Sequence, residues 1–287
     1  MLVADNWQDY ELLDSGDGER LERWGKFRLR RPDPQVIWPP THPNLWRKVD
    51  GHYHRSGGGG SWEFFNSLPE RWAIRYRGLS FHVRPMGFKH LGLFPEQAVN
   101  WDWLTRLIQS ASRPVRVLNL FAYTGGASVA AAAAGAEVCH VDAAKGMVTW
   151  AKENLQLSGL GDRPVRFLVD DVLKFVQREE RRGRQYEGII MDPPSFGRGP
   201  NGEVWKIEDE LFGLVRSCMA ILSPAPLFFL INSYTTGLAP GVLRNILALN
   251  IQQRFGGESM ADEVGLPLSQ AKLILPCGAS GRWEAAP

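Results

Sequence analysis

Cysteine is scarce, and Cys139, Cys218 and Cys277 form no CxxC pair. That argues against a disulfide framework and a zinc ribbon, and it points to a reducing compartment, the cytoplasm. Long apolar runs are missing too. No window reaches the roughly 18 uncharged apolar residues of a membrane helix, and the longest such stretch, Ala220 to Tyr234, is cut by Pro224 and Pro226. The acidic start, MLVADNWQDYELLDSGDGE, lacks the basic-then-apolar order of a secretory leader. No sign of charge dominates: 33 Lys+Arg stand against 31 Asp+Glu, a net +2. So near-neutral a balance supplies no evidence for a polyanionic partner. No internal repeat is visible. What remains is the composition of a globular chain, 44% hydrophobic and 22% charged over 287 residues. That excludes disorder and suffices for one large domain or two modest ones.

Two textures divide the chain. Of eleven Trp, only Trp150, Trp205 and Trp283 fall after residue 103, and of six His only His140 does. In the front part, short candidate strands alternate with turn signals. TyrGluLeuLeuAspSer runs into a Gly-Asp-Gly turn, and Leu21 to Leu29 alternates up to the Pro32–Pro34 breaker. TrpAlaIleArgTyr and LeuSerPheHisVal flank Arg77-Gly78 as a hairpin. Gly57 to Gly60 reads as a flexible loop tip. Residues 1–85 are expected to form a small β-rich domain, and residues 86–287 the second domain, entered through a short helix at Trp101–Ile108.

From Val115 strands and helices alternate. Strands are expected at ValArgValLeuAsnLeuPhe, GluValCysHisValAsp, ValArgPheLeuVal, TyrGluGlyIleIleMetAsp and LeuPhePheLeuIleAsn. Helices are expected at Gly125–Ala134, Ala144–Leu157, Val172–Arg182 and Trp205–Leu222. Two further strands fit near Gln253–Met260 and Ala271–Leu275, the last closed by Pro276. Short, nearly all-apolar strands joined by helices make a doubly wound, mostly parallel α/β sheet, here of seven strands.

Such sheets bind ligands beyond the carboxyl ends of their strands. The first strand runs into Asn119-Leu-Phe-Ala-Tyr-Thr-Gly-Gly126, a glycine-bearing turn that lets a cofactor approach the backbone. The second ends in Asp142, about where a ribose hydroxyl pair is held after such a turn; the alternative is a helix cap. The third ends in Asp170-Asp171, one able to accept from an adenine amine and the other to cap a helix. The fourth ends in Asp192-Pro193-Pro194-Ser195-Phe196, where two prolines stiffen the backbone that carries the Asp. Bulky Phe121 and Tyr123 stand where a dinucleotide fold has glycines, so the phosphate cradle is missing. S-adenosylmethionine has no phosphate and fits that turn.

LeuPheAlaTyrThrGlyGlyAlaSerValAla, ValAspAlaAlaLysGlyMet, TrpAlaLysGluAsnLeu and AspProProSerPhe, in this order and spacing, resemble the bacterial 23S ribosomal RNA methyltransferases of the cytosine-C5 and guanine-N7 types. HisLeuGlyLeuPheProGluGln97 is similar to the segment that family places before its first strand, beside the cofactor. The resemblance implies a class I methyltransferase fold with S-adenosylmethionine as cofactor. It implies that Asn119 to Gly126 cup the methionine, Asp142 with Ala143 meets the ribose, Asp171 faces the adenine, Phe94 and Gln97 lie alongside, and Asp192 lies near the transferred methyl.

The sequence departs from that family where the fifth strand ends. Cytosine-C5 chemistry needs a thiolate to add at C6, and this place reads Ile-Asn-Ser-Tyr234. Cys139 and Cys218 read as buried structural thiols. A base nitrogen needs no covalent intermediate, so the expected acceptor is a nitrogen of RNA, with Asp192, Pro193, Pro194 and Phe196 holding the base. A small-molecule or protein methyltransferase and a cofactor-binding relative without turnover remain as alternatives. Trp24, Arg28, Arg30, Arg31, Trp38, Trp46 and Arg47 read either as an RNA-stacking surface or as the core of a small β domain. His52 and His54 have no third ligand near them, so no metal is expected. The Arg-Glu-Glu-Arg-Arg-Gly-Arg run at 178–184 reads as a solvated helix end.

Overall fold

The computed structural model describes residues 1–57, 59–198 and 204–286. Gly58 of the four-glycine run lies outside them. The chain divides into two compact units: Leu2–Val99 with Gly265–Cys277, and Asn100–Val264 with Gly278–Pro287 and Met1. This division falls after residue 99 rather than 85. The reason is hydrogen bonding: within the first unit Trp62 Nε1 donates to the Met86 carbonyl, Arg31 Nη1 to that of Lys89, Arg84 N to Leu91 and Trp7 Nε1 to Pro95. Leu91 and Leu93 are buried with it. Residues 265–277 join through Ala4 N to Gly265 O and Ser269 N to Leu12 O.

The first unit opens with the two-residue β1 (Leu2–Val3) and holds a five-stranded sheet of β2 (Tyr10–Gly16), β3 (Glu19–Trp24), β4 (Phe27–Pro32), β5 (Gly51–Ser56) and β6 (Gly59–Phe64), in that order. The run from Leu21 to Leu29 is two strands, because Gly25 turns in the left-handed region at φ 64° and pairs Trp24 with Phe27. A separate hairpin, β7 (Trp72–Tyr76) and β8 (Leu79–Val83), turns at Arg77-Gly78 as expected. Most of the tryptophan–arginine set acts inside the unit. Trp24 is fully buried, Arg31 grips the buried Glu22 with Nε and Nη2, and Trp46 and Trp38 donate to Asp14 and Ser15.

The second unit holds most of α1 (Ala98–Ser110), which is longer than the helix expected at 101–108. Its parallel strands are β9 (Arg116–Leu120), β10 (Glu137–Asp142), β11 (Val165–Val169), β12 (Gly188–Met191) and β15 (Phe228–Ser233). Helices α2 (Gly126–Ala133), α3 (Lys145–Leu157), α4 (Val172–Arg181) and α5 (Ile207–Cys218) connect them. A hairpin of β13 (Phe196–Arg198) and β14 (Val204–Lys206) precedes α5. With β16 (Glu258–Pro267) and β17 (Ile274–Glu284), the order of these strands in the sheet is β16-β17-β15-β12-β9-β10-β11, with β17 antiparallel to β15. All residues of β12 and β15 are buried, as expected for strands covered on both faces.

The C-terminal part differs from the expected layout. Leu243, Ile246, Leu247 and Ile251 are buried at helical spacing and form α6 (Pro240–Leu247) with its continuation to Phe255, a segment to which the sequence assigned no element before Gln253, so the strand expected from Gln253 starts only at Glu258. The last strands are β16 (Glu258–Pro267) and β17 (Ile274–Glu284). Pro276 does not end β17: the pairing with β15 begins only at Ala279, so its missing N–H costs that ladder nothing. Among the described residues, no helix is long and apolar enough to cross a membrane.

Candidate functional site

β9 lies between β10 on one side and β12 on the other. The chain builds outward to β11, then returns to the far side of β9, so the strand order reverses between β9 and β12. The loops after these two strands therefore flank the crevice where open α/β sheets take ligands.

The first loop is strained. Phe121, Tyr123 and Gly125 have φ of 53°, 51° and 84°, and a non-glycine residue held there costs about 1–3 kcal/mol. Fixed partners hold it. Asp142 accepts from Tyr123 N with Oδ2 and from Ala144 N with Oδ1, both at 2.8 Å. Asn154, buried in α3, donates to the Thr124 carbonyl at 2.9 Å. The glycines are needed for packing rather than for the open approach expected. A Cβ on Gly125 would sit 2.8 Å from Ala151 Cβ, and one on Gly126 would sit 2.6 Å from the Trp101 ring. Asn119 points inward. Its Nδ2 donates to Ser128 Oγ, which lies 3.0 Å from His140 Nδ1, and all three side chains are buried. Burial pushes His140 down to about 3, so it is neutral.

The second and third rims adjoin, since Asp170 N donates to the Asp142 carbonyl. Asp142 is half-buried and Ala143 exposed. The two acids after β11 divide their work: Asp170 forms an ion pair with Arg178, and Asp171 caps α4 by accepting from Lys174 N at 2.9 Å. The residue that resemblance set against the adenine is thus also the helix cap.

After β12, Asp192 N reaches the Leu120 carbonyl at 3.4 Å, tying the fourth-strand loop to the first. Pro193 is buried, Pro194 and Ser195 are exposed, and Phe196 is 54% exposed at the start of β13. Ser195 Oγ meets Thr235 Oγ1 at 2.6 Å, which joins this loop to the residues after β15. Trp205 links the two loops: its Nε1 donates to the Pro194 carbonyl at 2.6 Å and its ring lies 5.3 Å from that of Phe121. Sequence reasoning placed Trp205 in a helix and did not single it out. Phe94 and Gln97 belong to the other unit, flanking and ending the Pro95–Gln97 turn, with Gln97 buried.

No thiol here is nucleophilic. Burial raises Cys139 to about 11 and pushes Cys218 and Cys277 up as well.

A family model of S-adenosylmethionine-dependent methyltransferases matches residues 19–237. The match thus begins in β3 and takes in most of the front unit. The chain is 33% identical over 196 residues to a ribosomal RNA large subunit methyltransferase K/L of Hahella chejuensis, covering 68% of this chain and 25% of that protein. It is 33% identical over 149 residues to the protein of that name from Shewanella frigidimarina, covering 51% and 20%. The chain thus spans a fifth to a quarter of these relatives' length. The crystal structure of an S-adenosylmethionine-dependent methyltransferase from Agrobacterium tumefaciens superposes with a TM-score of 0.94 at 40% identity, covering 99% of this chain and 92% of that one. A methyltransferase fold solved with S-adenosylhomocysteine superposes at 0.73 and 21% identity, covering 97% and 76%. With well over half of its length matched, this chain belongs to the S-adenosylmethionine-dependent methyltransferase family.

Proposed function

We propose that this enzyme methylates a base nitrogen of RNA, and that the RNA is ribosomal. The observation that carries the reading is the Asp192–Phe196 loop. It carries Asp192 and, four residues on, an exposed Phe196 at the switch point, while burial raises all three thiols. A covalent cytosine-C5 route has no nucleophile here; direct transfer to a nitrogen lone pair needs none. The relatives named as ribosomal RNA methyltransferases support the substrate class.

The donor set fits the cofactor. Asp142 is an acceptor-only group at the rim, suited to a ribose hydroxyl pair. One Asp171 oxygen serves as the helix cap, and the other is suited to an exocyclic amine. The turn from Asn119 to Gly126 is set as a backbone wall for the methionine end. When bound, S-adenosylmethionine supplies an electrophilic methyl on a positive sulfonium. Asp192 accepts from the acceptor amine and so aims its lone pair, Phe196 stacks on the base, and Pro193-Pro194 keep that acid from drifting. Orientation is the main contribution, worth up to about 7–11 kcal/mol in well-aligned systems. A ribosomal acceptor and three unpaired thiols fit the cytoplasm.

Tritiated-methyl transfer into RNA, protein and metabolite fractions from a strain lacking the enzyme tests the substrate. Label is expected in ribosomal RNA; label confined to protein or metabolites overturns the reading. Asp192→Asn is expected to lose turnover while calorimetry shows cofactor affinity nearly unchanged. A fully active variant would remove Asp192 from the proposed site.

A further inference from the structure

At the opposite pole of the sheet, where the strands begin, lies a cavity of about 480 Å³. Its lining includes Arg116, Arg166, Arg182 and Arg184, against two acids, Glu137 and Glu179. That volume lies within the ordinary range of small-ligand sites.

The charges at this pole are not equivalent. Glu187 takes Arg116 with both carboxylate oxygens, at 2.9 Å and 3.1 Å. Fully buried Glu179 accepts from Tyr186 Oη at 2.6 Å and from Arg182 Nη1 at 3.0 Å. Arg116, Arg182 and Glu179 are therefore paired. Arg166 and Arg184, both exposed, have no carboxylate or carbonyl partner among the described residues.

Both are nevertheless placed by rigid backbone. Arg166 sits on β11 opposite Cys139 in the ladder. Arg184 follows a helix-ending motif on α4: Gly183, at φ 63°, donates its N–H to Glu180 O, and Arg184 N donates to Glu179 O. This double bond pattern past a left-handed glycine fixes where the chain leaves the helix. The basic run at 178–184 is thus divided: Arg178 and Arg182 serve ion pairs, and Arg184 faces the cavity.

A guanidinium offers planar paired donors that match phosphate oxygens. The geometry points to a second ligand site here, in which Arg166 and Arg184 hold a phosphate group, with the Gln185 amide as a further donor. The phosphate is either a diester of the RNA acceptor or the monoester of a free nucleotide. The RNA source rests on the function proposed above; the site itself does not.

The test is Arg166→Glu/Arg184→Glu, two surface changes that leave the rim around Asp192 untouched. A fluorescein-labelled single-stranded RNA decamer, read by anisotropy, and adenosine monophosphate, read by calorimetry, are the two probes. If RNA is the source, decamer affinity falls by about tenfold or more, and the slope of log affinity against log salt flattens by about 1.4 for two lost contacts. KM for RNA then rises while kcat holds. If a nucleotide is the source, adenosine monophosphate binds the wild type and not the variant, and decamer binding stays the same. Unchanged affinity for both probes overturns the site. Binding of the decamer that depends on both arginines, with no methyl transfer to any RNA, keeps the site and removes the RNA methyltransferase reading.

Discussion

Replacing His140 by Asn should make the acid side of the stability curve less steep. The side chain is wholly buried, and burial alone lowers it from 6.5 to about 3. In the unfolded chain it protonates near 6.5, and in the native protein not until about 3. A group depressed in this way contributes stability that is present above the unfolded value and lost as pH falls toward the folded one. The loss runs at about 1.4 kcal/mol per pH unit and amounts to an order of 5 kcal/mol across the window. Asn keeps an acceptor near Ser128 Oγ and does not titrate. Guanidinium unfolding at half-unit steps from pH 7.5 to 4 is the assay. At pH 7.5 the variant should be the less stable, because volume is lost beside Phe167, whose ring centroid lies 5.1 Å away. His90, also pushed down to about 3 by burial, makes both proteins lose stability in acid, so the two curves should converge by the part that His140 alone contributes. Parallel curves from pH 6.5 to 4 would refute a neutral, buried His140.

Asp142→Ala should weaken cofactor binding on the order of tenfold to a hundredfold, because it removes a charged acceptor and frees the Tyr123 and Ala144 amides. Calorimetry showing unchanged affinity would count against the ribose assignment. Gly126→Ala should cost about 1–3 kcal/mol through overpacking, since its Cβ would lie 2.6 Å from the Trp101 ring. A thermal midpoint equal to the wild type's would mean that α1 yields freely there. In Ellman's assay at pH 8 all three thiols should stay silent until the protein is unfolded, and iodoacetamide should leave native methyl transfer unchanged. Inactivation by alkylation would reopen a cysteine route.

What could be read from the sequence was what depends on periodicity and on strand ends. Apolar strands with acids after them put Asp142, Asp170, Asp171 and Asp192 at the strand ends, and the structure keeps them there. The C-terminal strands were read with early and short bounds, 253–260 and 271–275 against 258–267 and 274–284, and the helix at LeuArgAsnIleLeuAlaLeuAsnIle was left unassigned, because a short apolar window suits either period. Its buried set at 243, 246, 247 and 251 settles it as helix. The Leu21–Leu29 run failed for a simpler reason: one left-handed glycine makes two strands of it. Trp205 gave no signal, since its role depends on a hairpin that folds it back onto Pro194. Asn154 did give one. It lies four residues after Trp150 on the apolar stripe of α3, and an amide there must have a partner.

The reason for the glycine pair changes how the turn proposed to hold the cofactor works. Its shape is set by contacts behind it: Gly125 against Ala151, Gly126 against Trp101, Asn154 to the Thr124 carbonyl and Asp142 to the Tyr123 amide. Two non-glycine residues are held in the left-handed region, which an isolated loop would relax. The strain is therefore offset by packing between α1, α2 and α3 during folding. A binding wall ordered before the ligand arrives does not lose loop freedom on binding, so more of the contact energy appears as affinity. This also gives Phe121 and Tyr123 a role that a phosphate-binding glycine cannot fill. They provide side-chain surface at the turn, and Phe121 gives Trp205 a ring to pack on. Through Trp205 the turn proposed to face the cofactor is joined to the Pro194 carbonyl, two residues after Asp192. The rigidity of the first loop thus reaches the acid that is proposed to aim the acceptor.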